Sequence, residues 1–297
     1  MNRHRLSWVI SEQDDGTLIR DYLSQIAGLS KRLIIKAKQQ DGAILINGEH
    51  RTVRYVLQHG DVLEVIFPPE EISPYLQPEL LPLDIVYEDA DVLVVNKESG
   101  MPTMPSRIHT SGTLANAILY YYQEQRLPYT VHVVTRLDKD TSGLVLIAKH
   151  QYSHSFLSMM QRKNEIERIY TAVVHGEMED RQGLIDQPIG RHPSSIIERI
   201  VTSDGQEART FFHVQKMRDN LSFVKVRLKT GRTHQIRVHF ASIGHPLLGD
   251  DLYGGTREKM NRQALHCSEL TFQHPFSKKE LALTAQLPAD MELLNET

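Results

Sequence analysis

The sequence has little of what extracellular or membrane proteins need. Cys267 is its only cysteine, so no internal disulfide can form and nothing indicates secretion. Apolar runs such as 144–148 end after a few residues, whereas a membrane-spanning helix needs roughly 20 apolar residues. The first ten residues carry charges and no apolar stretch of signal-peptide length. We therefore expect a cytoplasmic protein that does not contact a membrane.

The sequence also lacks a strong excess of either charge. Its 297 residues are 40% apolar and 24% charged, which is typical of one large or two modest globular domains. The net charge of −3 hides an uneven distribution. Residues 30–54 hold six Lys or Arg against two acids, and 221–240 hold five Lys or Arg and no acid. Between these basic regions, 68–91 hold seven acids and no base.

Prolines are concentrated in one segment. Five of the 13 prolines lie between residues 68 and 82. Because proline fixes φ and removes a backbone donor, this segment is predicted to be an extended, semi-rigid linker. The expected division is a small N-terminal domain over 1–67, the linker over 68–82, and a larger domain over 83–297.

The N-terminal segment combines a basic helix with short strands. An apolar helical pattern over 18–26 ends at Gly28, and Ser30 is predicted to cap a second helix running to residue 40. Lys31, Arg32 and Lys36 make this second helix cationic, which a solvated helix face would also explain. Predicted strands follow at 44–46, before an Asn-Gly turn, and at 62–67.

This order of elements resembles the small alpha-L RNA-binding module known from ribosomal proteins. The resemblance covers residues 12–67. It implies that the small N-terminal α/β domain binds RNA through Lys31, Arg32 and Lys36.

The segment after the linker mixes strand and helix patterns. Strands are predicted around 91–95, 144–148, 169–174 and 223–229, and helices around 113–126 and 152–163. They do not alternate as parallel βαβ units. We therefore expect an α+β domain with a largely antiparallel mixed sheet and flanking helices.

The segment 135–143, TRLDKDTSG, precedes one of these strands. Its composition is ordinary for a turn. However, Asp138 lies between Arg136 and Lys139, and a cation within about 4–6 Å lowers a carboxyl pKa by about 1–3 units. Asp138 would then be ionised and available as a nucleophile. Asp140 is interpreted as a turn or capping residue.

A second segment, 228–239, leads from a predicted strand into a helix that begins near residue 233 and ends at Gly244. The helix N-terminus beside Arg232 could bind a phosphate. Arg237 could reach a carboxylate on a neighbouring element with two hydrogen bonds. A solvated basic helix is the alternative interpretation.

Four stretches together resemble the RluA-type family of pseudouridine synthases. They are VLVVNKESGM (92–101), RLDKDTSG (136–143), ERIYTAVVHG (167–176) and LKTGRTHQIRVHFASIGHPLLG (228–249). With the N-terminal module and the linker, the resemblance covers nearly the whole chain. It implies isomerisation of uridine to pseudouridine in structured RNA without a cofactor.

The resemblance also implies roles for single residues. Asp138 matches the essential aspartate, which attacks either the anomeric carbon or the uracil ring. Tyr170 matches a tyrosine that packs against the target base and helps to remove its proton, and Arg237 matches the basic partner of the aspartate. Arg136 matches an arginine that occupies the space left by the displaced base.

Further residues of the motif are predicted to contact RNA. They are Arg232, His234 and Gln235. Three positions depart from the usual family pattern, namely Thr135 for histidine, Glu98 for proline and Arg168 for lysine. These departures bear on substrate choice and loop shape.

Several alternatives stay open at this stage. Ribosomal RNA is the favoured substrate and transfer RNA is possible. The protein could instead be a catalytically silent RNA-binding assembly factor, or a glycosidase-like hydrolase that uses Asp138 and Asp140. The 15 histidines, including His150 and His154, show no convincing metal-ligand spacing, so no metal is expected. A monomer is the default expectation.

Overall fold

A computed structural model describes residues 5–39, 41–106 and 109–296. The strands are β1 Arg5–Val9, β2 Ala43–Ile46, β3 Glu49–His50, β4 Val62–Ile66, β5 Ile85–Glu88, β6 Val92–Lys97, β7 His132–Val133, β8 Ser142–Ala148, β9 Glu167–His175, β10 Gln182–Asp186, β11 Ile189–Arg191, β12 Arg199–Val201, β13 Arg209–Arg218, β14 Leu221–Leu228, β15 Leu265–Gln273 and β16 Glu280–Thr284. The helices are α1 Ile19–Asp21, α2 Lys31–Ala37, α3 Leu114–Glu124, α4 Gln151–Arg162, α5 Gln235–Ser242 and α6 Ala289–Glu296.

A large sheet dominates the chain after the linker segment. Eight strands follow one another in the order β10-β13-β14-β9-β15-β8-β6-β5, with β7 paired to β8 and β16 paired to β15. Its pairs are antiparallel in the described part of the chain, except that β8 and β15 run parallel. The predicted α+β class with a largely antiparallel sheet is confirmed.

The predicted elements of this part lie where the sequence placed them. The strand patterns correspond to β6, β8, β9 and β14, and the helical patterns to α3, α4 and α5. Strand β8 is buried along its whole length at the centre of the core. Thr113 caps α3 by accepting a hydrogen bond from the Asn116 backbone N–H, as a helix start requires. The last predicted helix begins at Gln235, two residues later than expected.

Residues 5–67 form a separate four-stranded antiparallel sheet, in the order β1-β4-β2-β3, which we call the N-terminal module. Helix α1 continues as a π-helix over Tyr22–Ile26, and Ser30 caps α2 by accepting a 3.3 Å hydrogen bond from the Leu33 N–H. Helix α2 ends at Ala37, earlier than predicted, and residue 40 lies outside the described residues. Leu23, Leu57 and other apolar side chains form the module's own core.

The N-terminal module packs against helix α4. Tyr152 of α4 belongs to the module core, and its hydroxyl donates a 3.0 Å hydrogen bond to the Ala27 carbonyl. Lys36 of α2 donates to the Gln151 side-chain oxygen at 3.0 Å. Glu70, just after the module, accepts a 2.8 Å hydrogen bond from the Gln151 N–H. These contacts fix the basic helix α2 beside α4.

None of the helices in the described ranges is long and apolar enough to cross a bilayer. Residues 68–84 contain no helix or strand.

Candidate active site

Asp138 lies on the loop that enters β8, and its neighbours hold this loop in place. The Thr103 hydroxyl donates a 2.7 Å hydrogen bond to the Leu137 carbonyl. The Thr135 hydroxyl accepts a 2.9 Å hydrogen bond from the Leu146 N–H of β8. Thr135, which replaces the usual histidine, is therefore a loop anchor in this chain. The Asp138 carbonyl closes a turn by accepting from the Thr141 N–H.

Lys97 at the end of β6 holds the same loop by hydrogen bonds to backbone carbonyl groups. Its buried ammonium donates to three carbonyl oxygens, those of Glu98 at 2.7 Å, Met101 at 2.8 Å and Lys139 at 3.0 Å. Burial lowers the pKa of Lys97 to about 7, against the opposing charges of Asp138 and Asp140. Lys97 thus ties the segment 98–101 to the loop that carries Asp138.

Gly143 is required where the loop joins β8. Its φ is +112°, outside the range that L side chains usually adopt. A Cβ atom there would lie 2.3 Å from the Cys267 carbonyl oxygen on the parallel strand β15. Only glycine lets β8 and β15 approach closely behind Asp138.

Asp138 and Arg237 meet, as the sequence analysis expected. Arg237 Nη1 donates to Asp138 Oδ2 at 3.3 Å, and the Arg237 side chain is 8% exposed whereas that of Asp138 is 29% exposed. The cation that touches Asp138 is therefore Arg237 of α5, whereas its chain neighbours Arg136 and Lys139 are exposed. The sequence analysis expected the neighbouring cations Arg136 and Lys139 to act on Asp138, but the contact is made by Arg237, which lies 99 residues away in the sequence.

Arg237 has a second and closer acidic partner. Its Nε and Nη2 donate to the two oxygens of Asp250 at 2.7 and 2.8 Å, and the Asp250 side chain is 1% exposed. Burial by itself would lower the pKa of Arg237, but hydrogen bonding to Asp250 and the charges of Asp250 and Asp138 raise it above its ordinary value. The guanidinium is thus permanently charged, and it is oriented by Asp250 while it faces Asp138.

His234 approaches Asp138 from the residue before α5. Its backbone is left-handed, with φ +57°, and its Nε2 lies 3.9 Å from Asp138 Oδ2. Its Nδ1 is 2.8 Å from the Tyr253 hydroxyl, which fixes the ring. Burial lowers the pKa of His234, and nearby Arg237 lowers it further against the attraction of Asp138. His234 is therefore neutral at pH 7.

Tyr170 of β9 lines the same pocket and is buried. Burial raises the pKa of Tyr170 above its usual value, and the adjacent Cys267 thiol adds to the rise. The phenol is therefore protonated at neutral pH. A neutral phenol can stack on a planar group or donate a hydrogen bond, but it cannot itself accept a proton as a base.

These side chains line two connected clefts. An inner pocket of about 70 Å³ contains Asp138, Tyr170 and Arg237. It shares Arg136, Asp138, Arg168 and Arg232 with an outer cleft of about 830 Å³. The basic rim suits a phosphate chain.

The predicted RNA-contacting residues have different positions. Arg136 and Arg232 are exposed at the rim, while Lys31 and Arg32 are exposed on α2, away from Asp138. Lys36 also lies on α2 and contacts Gln151.

Gln235 is a correction. It is buried, and its amide makes four hydrogen bonds inside the protein, to Thr230, Arg232, Arg209 and Thr210. No donor or acceptor is left for RNA, so Gln235 holds the turn before α5.

The sequence analysis missed three participants. Asp250 follows directly after the motif that ends at residue 249, and Lys97 was quoted in a motif without a role. Arg168, noted only as a departure, lines both clefts, and its buried Nε has no hydrogen-bond partner among the described residues. The signal for Asp250 and Lys97 was their place in the motifs, but their partners are distant in the sequence.

Asp89, Asp91 and His274 form the one group with metal-ligand spacing in the described part of the chain. His274 Nδ1 accepts hydrogen bonds from the Phe276 and Ser277 N–H groups, so its Nε2 donates to Asp89 at 2.8 Å. The ligand atoms are already used in structural hydrogen bonds. This arrangement is a hydrogen-bonded clasp rather than a metal site.

Comparison with known proteins gives one consistent family. The sequence profile of the family described as RNA pseudouridylate synthase matches residues 91–242. The chain is 51% identical over 276 residues to the Bacillus subtilis protein YjbO, named an uncharacterized RNA pseudouridine synthase, covering 93% of this chain and 97% of that protein.

Other relatives agree. The chain is 35% identical over 310 residues to ribosomal large subunit pseudouridine synthase D of Escherichia coli K12, covering 99% of this chain and 94% of that protein. Among solved structures, human RNA pseudouridylate synthase domain containing 1 is similar with a TM-score of 0.58 and 25% identity, covering 74% of this chain and 87% of that one.

Proposed function

The chain belongs to the RluA-type family of RNA pseudouridine synthases, and on that premise we propose that it isomerises a specific uridine of ribosomal RNA with Asp138 as the nucleophile. The observation that carries the proposal is the 3.3 Å contact between Asp138 and Arg237 at the floor of a pocket that also contains Tyr170. Ribosomal RNA is favoured because a relative that matches almost the full chain is named for the large ribosomal subunit.

The proposed reaction exchanges one bond from the base to ribose for another. The bond between uracil N1 and the anomeric carbon breaks, the base rotates, and a bond from C5 to the anomeric carbon forms. The proton leaves C5 and N1 gains one, so the atoms balance without an added reagent. Asp138 forms the transient covalent bond, either to the anomeric carbon or to the ring, and is released at the end.

The surrounding residues serve this reaction in distinct ways. Arg237 holds the Asp138 carboxylate in place through its Nη1. The uridine must leave its stack, which costs a few kcal/mol, and stacking on Tyr170 returns about 1–3 kcal/mol. Arg136 at the rim occupies the gap left in the RNA.

We further propose that residues 1–67 are an RNA-binding module of the alpha-L type, that 68–82 are its linker, and that 83–297 are the catalytic domain. The basic side chains of α2 support this assignment of function to the module. A monomer in the cytoplasm is the proposed working state.

The test is to delete the gene and map pseudouridine in total RNA. A ribosomal site should lose its pseudouridine, regain it with the wild-type protein, and stay uridine with Asp138→Ala. Full restoration by Asp138→Ala would refute the nucleophile and favour a silent assembly factor. Loss confined to transfer RNA would replace the proposed substrate, and release of free uracil would indicate a hydrolase.

A further inference from the structure

We propose that the substrate RNA continues from the catalytic pocket along the half-buried polar face of α4 to the basic helix α2, so that α4 is a third RNA-binding surface. The inference rests on the proposed RNA substrate. No residue of α4 had been assigned a function from the sequence.

The first observation is that the clefts are continuous. The outer cleft of about 830 Å³ next to Asp138 and a second cleft of about 1000 Å³ next to α2 share two lining residues, His132 and His154. Their rings stack with centroids 5.0 Å apart. The two clefts therefore meet at this pair and form one groove.

The second observation is the character of α4. Its buried face is Tyr152, Phe156, Leu157 and Met160, and the groove face presents His154, Ser155, Ser158, Gln161 and Arg162. The helix contains no acid between Gln151 and Arg162. Small hydroxyl side chains in the middle of an acid-free face allow a phosphate backbone to approach closely and donate hydrogen bonds to it.

The third observation is where positive and negative charges lie. Arg32 and Lys36 mark one end of the groove, and Arg168 and Arg232 mark the other. Asp41, Glu70 and Glu71 also line the α2 end. Glu70 is engaged by His132 and by the Gln151 N–H, so it caps α4 rather than facing an incoming anion. A polyanion fits this surface better than a protein partner does.

The fourth observation is that the groove walls are fixed to each other. Tyr152 is inserted in the core of the module, and a Cβ on Gly28 would lie 3.6 Å from the Phe156 ring, in ordinary contact. Helix α2 therefore stands at a set distance from Asp138. RNA that spans the groove has to match that distance.

The decisive experiment places negative charge in the middle of the groove. We would compare full-length wild type, S155E/S158E, and the control Q182E/Q215E, whose exposed residues lie on β10 and next to it on β13 at the far edge of the sheet. The probe is ribosomal RNA purified from cells lacking the gene, assayed by filter binding at several salt concentrations. We expect S155E/S158E to bind about tenfold more weakly with a shallower salt dependence, and the control to bind like wild type.

Turnover on the same RNA separates this inference from the proposed function. At limiting RNA, S155E/S158E should form pseudouridine about tenfold more slowly than wild type, in line with its weaker binding, and Q182E/Q215E should match wild type. The wild type could form no pseudouridine in ribosomal RNA while its RNA binding still depends on Ser155 and Ser158. That result would refute ribosomal RNA as the substrate and would support α4 as an RNA-binding surface. If S155E/S158E binds RNA with wild-type affinity, the proposal that α4 binds RNA is wrong.

A second measurement does not require that α4 fold normally with glutamate at positions 155 and 158. Since Cys267 is buried and is the only native cysteine, a thiol-reactive photo-cross-linker can be attached selectively to S158C. Cross-linking to the RNA is expected from S158C and not from Q182C. Absence of a cross-link from S158C, in protein that binds RNA normally, would also overturn the proposal.

Discussion

Arg237 contacts two carboxylates that differ in exposure, and this difference assigns them different tasks. Asp250 is the more buried and makes two short hydrogen bonds, whereas Asp138 is open to the pocket and makes one longer bond. Asp250 compensates the buried charge and fixes the guanidinium plane. Asp138 stays accessible from the pocket.

Asp250→Asn is predicted to harm both stability and turnover. Removing one partner of a buried ion pair costs about 3–5 kcal/mol, and the remaining bond to Asp138 offsets only part of this. We expect a loss of about 3 kcal/mol in urea unfolding. Where the variant is folded, kcat should fall more than tenfold with a smaller change in KM, because Arg237 is no longer oriented.

The matched control is Asp251→Asn. Asp251 forms an exposed ion pair with Arg257 at 2.8 Å, so its loss should change stability by less than about 1 kcal/mol. Equal effects of the two substitutions would contradict the role of Asp250.

His266 on β15 should make the protein sensitive to acid. Burial lowers the pKa of His266 to about 4, and nearby Arg262 adds to the effect. The unfolded chain has a histidine pKa of about 6.5 and therefore binds more protons between these values. Stability is thus fully present above pH 6.5 and is lost as pH falls toward 4.

The test compares urea unfolding at pH 7.5 and pH 5. Wild type should lose about 2 kcal/mol more than His266→Gln between these pH values. His213→Gln, on the exposed face of β13, serves as the control and should follow wild type. The same pH dependence in all three proteins would exclude His266 as the source.

At the scale of elements, the parallel pairing of β8 with β15 determines where Asp138 lies. The parallel register pairs Ser142 with His266 and Gly143 with Cys267. The Ser142 hydroxyl and His266 Nδ1 are 2.9 Å apart. The loop that carries Asp138 is therefore positioned by pairing between strands that lie more than a hundred residues apart in the sequence.

Gly143→Ala should test this close approach. A left-handed backbone costs a non-glycine residue about 1–2 kcal/mol, and the overlap with the Cys267 carbonyl adds to that. Gly16→Ala is the control, because Gly16 has φ +78° and no atom near its missing Cβ. In thermal unfolding, Gly143→Ala should lose clearly more stability than Gly16→Ala, and its activity should fall; equal losses would show that the close approach is unimportant.

Local sequence patterns predicted most elements but not the contacts among them. Strands β6, β8, β9 and β14 follow from runs of apolar residues, α2 follows from the predicted cap at Ser30, and α3 follows from its helical apolar pattern. The left-handed backbone of His234 could not be anticipated, since it depends on the buried hydrogen bonds of the following Gln235 and on Tyr253.

For the active site, the motifs supplied Asp138, Tyr170 and Arg237 together because the family resemblance joined them. The residues that hold them were harder to find. Asp250 was missed because a carboxylate near the end of a motif has no distinctive spacing, and its pairing with Arg237 exists only in three dimensions. Gln235 was misassigned because its burial cannot be read from its polarity.

At the scale of the whole molecule, the two largest sheets have separate cores that meet at α4. The larger core lies around β8, and the smaller one fills the N-terminal module. Sequence analysis treated residues 1–67 as a unit joined by a linker. The structure adds a direct contact surface, so the position of α2 does not depend on the linker alone.

The placement of Tyr152 has a consequence for truncated forms of the protein. Its backbone belongs to α4, but its ring completes the core of the first 67 residues. Removing the first 67 residues and the linker would expose this ring and the neighbouring Phe156 on the remaining domain. An exposed apolar patch of this kind promotes aggregation. The two halves therefore depend on each other for solubility, and single-residue changes dissect their roles better than deletions do.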